Sequence, residues 1–136
     1  FPRQDPSIVF RGNVSDAEKI DLLDRASVLV CPSLYEGFGF PPLEAMARGC
    51  PVVISRTGSL PEVGGDAARY VDPRDAAGMA AAVHEVLTDE RLRQGMIERG
   101  YRRVRAFSWE ASARQHVGLF EDVLALGHQR LAEAAG

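Results

Sequence analysis

The 136-residue sequence is poor in cysteine, lysine, tryptophan and long apolar runs. Two cysteines, Cys31 and Cys50, are too few for a disulfide framework, and no C-x-x-C spacing is present for zinc or redox chemistry. Both read as small buried residues of a reducing compartment. No apolar run approaches the ~20 residues needed to span a bilayer. There is no Asp-x-Asp pair and no His/Cys cluster at metal-ligand spacing. A net charge of -3 leaves no basic footprint for nucleic acid. Lys19 is the one lysine among 16 basic residues. The cluster Arg99, Arg102, Arg103 and Arg105 reads as a solvated helix end, because cations favour a helix C-terminus. Repeats and low-complexity linkers are also missing. These absences leave one ordinary domain, expected to be cytoplasmic.

What is present alternates between strand and helix signals. Ile8, Val9 and Phe10 form a β-branched and aromatic run that ends at Gly12, and predict a strand. Ser15 and Glu18 make a capping box, and Ile20, Leu23 and Ala26 follow at helical spacing. Val28, Leu29, Val30 and Cys31 are apolar without alternation, as in a parallel strand buried on both faces. A helix is predicted over 41–48, with Pro near its start and Gly49 at its end. Strands follow over 51–54 and 68–71, with a short helical turn at 60–63 between them. Met79, Val83, Val86 and Leu87 predict one face of the next helix, and Asp89 and Glu90 open another. Ser108 caps a last helix, with Trp109, Ala113, His116, Val117, Phe120 and Leu124 as an amphipathic stripe. Its Ala-rich tail is expected to fray beyond His128. The alternation predicts an α/β, Rossmann-like parallel sheet with flanking helices.

The chemistry concentrates between residues 32 and 46, where a parallel strand ends and a helix begins. Ligands of open α/β sheets bind at this carboxyl edge. Gly37 and Gly39 allow close backbone approach, and the following helix presents its positive end to an anion such as phosphate. Glu36 stands at the mouth. Glu44 lies two helical turns on and can face the same cleft. Carboxylates beside a phosphate site suit sugar or ribose hydroxyls, since charge-assisted bonds are the stronger ones. Taken singly, these residues also fit structural roles: a tight turn for the glycines, core packing for Phe38 and Phe40, a solvated helix face for Glu44. Two carboxylates also occur as a glycosidase pair, but the phosphate-ready helix start argues against that. His84, His116 and His128 fall on helices away from the segment.

Glu36 and Glu44 form an E-x7-E signature inside PSLYEGFGFPPLEAMARGCPVV. The segment resembles the GT-B family of retaining glycosyltransferases known as group 1, or family 4, which includes bacterial mannosyl-, glucosyl- and sugar-polymer-forming enzymes. The likeness runs through IVFRGNVSDAEKIDLLDRASVLV, GSLPEVGGDAARYVDP and FSW, from Ile8 to about Leu124. It implies that residues 1–136 are part of the C-terminal, nucleotide-sugar-binding domain of a GT-B fold. It implies that Glu36 bonds donor-sugar hydroxyls and is the catalytic candidate. Gly37, Phe38 and Gly39 then approach the sugar and diphosphate, Phe40 begins the phosphate-facing helix, and Glu44 bonds the ribose. The implied reaction moves a sugar from a nucleoside diphosphate sugar to an acceptor hydroxyl, with retention and without a cofactor or bound metal. The PPLEAM wording leans toward a mannosyltransferase using GDP-mannose.

The resemblance also sets expectations about what lies outside these residues. The acceptor, a sugar or lipid-linked glycan, belongs to an N-terminal domain absent here, through which such enzymes often dock to membranes. The Arg and Lys that clamp the diphosphate lie upstream, and Arg3 and Arg11 are poorly placed substitutes. The isolated chain is therefore expected to be inactive. Its strand at residues 8–10 is expected at an outer sheet position, leaving a gap for the missing half or another chain to fill. The alternatives are a non-catalytic nucleotide- or phosphate-binding module, a sugar-nucleotide epimerase and a phosphorylase. The last needs a buried lysine for pyridoxal phosphate, whereas Lys19 is expected away from the motif.

Overall fold

The apolar run after Pro51 becomes the central strand, and the rest of the fold packs around it. A computed structural model describes the backbone of residues 5–134 and the side chains of residues 5–126. The elements in order are α1 (Asp16–Arg25), β1 (Leu29–Cys31), α2 (Phe40–Ala47), β2 (Val52–Ser55), α3 (Leu60–Gly64), β3 (Arg69–Val71), α4 (Ala76–Thr88), α5 (Glu90–Val104) and α6 (Trp109–Ala134). The strands form a parallel sheet in the order β1-β2-β3, with Leu29 opposite Val52 and Val53 opposite Arg69. Every residue of β2 is buried. Val52 and Ile54 pack with Ala45, Met46, Leu60 and Val63 from α2 and α3. Val53 packs with Ala82, Val86 and Met96 from α4 and α5. Helices thus cover both faces, as continuous apolar strands require.

Local chemistry sets the helix ends. The capping box forms: the Glu18 amide donates to Ser15 Oγ at 3.3 Å and the Ser15 amide to Glu18 Oε2 at 2.9 Å. At the end of α2, the Cys50 amide reaches Ala45 O at 2.9 Å and the Gly49 amide reaches Met46 O at 3.1 Å. This is the Schellman pair, and it requires the positive φ of 71° that Gly49 adopts. Asp75, Asp89 and Ser108 cap α4, α5 and α6.

Several expectations need correction. Residues 8–10 lie outside the sheet, with Ile8 58% and Val9 69% exposed. A strand forms only with a neighbouring ladder, and β1 does not pair with this segment. Arg3 lies outside the described residues. The face of α4 turned to the core carries Ala82 and Val86, while Leu87 is half exposed. The α5 arginines are not merely solvated: Arg99 Nε donates to Asp66 O at 2.7 Å, and Arg103 donates to the carbonyls of Val63 and Glu62 at the end of α3.

The largest departure is α6. Its expected stripe does not meet the core, for Trp109, Val117, Phe120 and Leu124 are all more than half exposed. Trp109, in the first turn, still meets Phe40. The helix continues past His128 to Ala134, through a run of alanine and leucine that favours helix.

Candidate functional site

The carboxyl ends of β1 and β2 carry short polar side chains where the core gives way to solvent. Ser55 is fully buried and donates to Ser33 O at 2.5 Å. Thr57 Oγ1 donates to the same carbonyl at 2.8 Å and lies 3.0 Å from Ser55 Oγ. The Ser33 hydroxyl in turn donates to Glu36 Oε1 at 2.8 Å. Ser59 donates to the Glu36 carbonyl at 3.0 Å. Gly58, at φ 54°, lies flat against this turn, where a Cβ would come within 3.0 Å of the Glu36 carbonyl. Glu36 is therefore fixed through both backbone and carboxylate, with Oε2 left unpartnered. The Cys31 thiol lies 3.4 Å from Ser33 Oγ, inside the same network.

The loop from Glu36 to α2 exposes a row of donors. Among the described residues, the backbone amides of Gly37, Phe38, Gly39 and Phe40 meet no acceptor. Pro41 and Pro42 lack amide hydrogens, so the first turn of α2 adds few donors of its own. Loop amides and the positive end of a helix dipole are together the kind of environment that favours an anion. The two glycines play different parts. At Gly37 a Cβ would meet nothing within 4 Å, so its backbone is open to a ligand. Gly39 is buried at φ 106°, and a Cβ there would press on Leu60 Cδ2 at 3.0 Å. Its smallness serves packing against α3.

Phe38 and Phe40 point away from this polar edge, toward the start of α6. Their rings lie 4.6 Å apart; Phe107 meets Phe38 edge-on at 6.0 Å and Trp109 stacks near Phe40 at 6.3 Å. With Leu43 they line an apolar groove of about 590 Å³. Both phenylalanines are 40% or more exposed, so neither belongs to the closed core.

Glu44 is held separately from Glu36. Lys19 Nζ donates to Glu44 Oε1 at 2.8 Å and lies 3.3 Å from Asp16 Oδ1. These two carboxylates hold the Lys19 ammonium above its ordinary pKa, the Glu44 hydrogen bond being the larger cause. The expectation that Lys19 stands away from the motif is thus overturned. Only the Ser15–Glu18 cap hinted at it, by fixing the face that α1 presents. Burial pushes the Cys50 thiol up, consistent with an inert core residue. No group of three metal-ligating side chains occurs among the described residues. None of the described helices is long and apolar enough to cross a membrane.

The sequence model of the family described as glycosyl transferases group 1 matches residues 5–103. The chain is 43% identical over 116 residues to the MMP alpha-(1->4)-mannosyltransferase of Mycolicibacterium hassiacum, covering 82% of this chain and 28% of that protein. It is 40% identical over 114 residues to O-antigen chain mannosyltransferase B of Escherichia coli, covering 84% and 30%. Among solved structures it is similar to the sucrose-phosphate synthase of Thermosynechococcus elongatus, with a TM-score of 0.79 and 33% identity. That match covers 90% of this chain and 31% of the other. The chain thus spans less than a third of these relatives, within a part of the GT-B fold. It belongs to the glycosyl transferases group 1 family.

Proposed function

We propose that this chain holds the donor of a glycosyltransferase that moves a hexosyl group from a nucleoside diphosphate sugar to an acceptor hydroxyl, with retention. The observation that carries the reading is the row of four unfilled amides, 37–40, between a fixed carboxylate and a helix start. The diphosphate lies along these amides. The free Oε2 of Glu36 accepts from hydroxyls of the donor sugar, and Glu44 accepts from the ribose. Charge-assisted bonds of this kind are strong and directional. The mannosyltransferase relatives support a hexose donor and a lean toward GDP-mannose.

In this reading the reaction needs no bound metal, because amides and cations carry the diphosphate charge. The acceptor site and the diphosphate-clamping cations come from outside residues 1–136, so the chain binds donor without turning it over. The two free cysteines fit a cytoplasmic setting. Calorimetric titration with UDP, GDP and ADP tests the reading. One nucleotide is expected to bind, and Glu44→Ala to weaken it about tenfold or more, the worth of a charge-assisted bond. Equal binding by the variant would overturn the ribose role.

A further inference from the structure

We infer that Lys19 is a further residue of the donor site, which orients Glu44 and offsets its charge as a nucleoside diphosphate binds. This rests on the ribose role given to Glu44 above. Three observations carry it. First, Lys19 and Glu44 lie on different helices, 25 positions apart, yet Nζ reaches Oε1 at 2.8 Å. The contact is made by tertiary placement of α1 against α2, not by helical spacing.

Second, the residue type matches the task. Every other basic residue of the chain is arginine. Where an arginine meets a carboxylate between the same two helices, it occupies both oxygens: Arg48 Nε and Nη2 each reach an Asp24 oxygen at 2.5 Å. An arginine fork at position 19 would engage both Glu44 oxygens in the same way and leave a ribose only their remaining lone pairs. A lysine is a point charge that takes one oxygen. Among the described residues Glu44 Oε2 accordingly has no partner.

Third, helix chemistry accounts for Lys19 only in part, through its i,i+3 pair with Asp16. It follows directly on the first turn of α1, where a cation opposes the macrodipole, and Asp16 and Glu18 there already satisfy it. A carboxylate beside a polyanionic ligand is repelled unless a cation lies next to it. Lys19 is that cation for Glu44, for an ammonium is charged throughout the neutral range.

The test compares a nucleoside diphosphate with its uncharged nucleoside, using whichever of GDP, UDP or ADP binds the parent chain. Lys19→Met is expected to weaken diphosphate binding about tenfold and nucleoside binding less, because only the former carries the repelled charge. The gap between the two losses shrinks as salt rises. Lys19→Arg keeps the charge but covers both Glu44 oxygens, so it weakens the nucleoside at least as much as Lys19→Met does. The pair is half exposed, so both variants retain the parent's circular dichroism. Parent-like binding by Lys19→Met alongside a loss in Glu44→Ala would overturn the Lys19 role and leave the Glu44 reading intact. Parent-like binding by Glu44→Ala, or no nucleotide binding by the parent, would overturn both.

Discussion

The carboxyl edge of the sheet and helix α6 hold their residues in opposite ways. At the edge, Ser33, Ser55, Thr57 and Ser59 are committed to named partners, and Glu36 is held at both ends. Along α6, apolar side chains stand in solvent: Val117 at 55%, Phe120 at 62% and Leu124 at 63% exposed. The first region is over-determined by contacts within the chain. Beyond its start, where Trp109 meets Phe40, the second rests on local propensity. A motif with its own hydrogen-bond partners nearby is readable by itself, whereas an amphipathic helix tells only that something apolar belongs against it.

Truncation breaks this comparison most sharply. Ile54→Ala removes a fully buried side chain from the centre of β2 and is expected to cost about 2–5 kcal/mol in denaturant unfolding. Leu124→Ala removes an equally large group from α6 and is expected to change stability by less than about 0.5 kcal/mol. A large loss at Leu124 would mean that α6 packs on the body in solution.

Glycine substitutions sharpen the same contrast at smaller amplitude. Gly39→Ala puts a Cβ on Leu60 at φ 106° and is expected to destabilise by about 1–3 kcal/mol. Gly118→Ala, in α6, meets nothing within 4 Å and is expected to stabilise by up to about 1 kcal/mol. Thermal melts of the two variants should move in opposite directions.

Much of this was legible before the coordinates. The parallel strands of 28–31 and 51–54 follow from apolar runs without alternation, the strand of 68–71 from a weaker signal, and each returns within a residue or so of its expected place. The caps at Ser15, Asp89 and Ser108 are local chemistry and formed as read. The residues that failed depend on long-range partners. Residues 8–10 have strand composition, yet a strand needs a ladder that composition cannot supply. The α6 stripe has the right period, but period fixes a face and not its neighbour. Lys19 was misplaced for a related reason: reach between α1 and α2 is a matter of packing across 25 positions. The hydroxyl network around Glu36 was present as Ser33, Ser55, Thr57 and Ser59 in two loops, but only the parallel register of β1 and β2 brings those loops together.

The central claim is that the donor lies along the amides of residues 37–40, at the polar edge. Amide chemical-shift mapping of the chain, titrated with GDP-mannose and, for comparison, UDP-glucose, tests it most directly. The account predicts that one of these donors shifts the Gly37, Phe38, Gly39 and Phe40 resonances together with those around Glu44 and Lys19, while positions 117–126 of α6 stay in place. Shifts confined to the aromatic groove around Phe107 and Trp109, with the 37–40 amides unmoved, would contradict it.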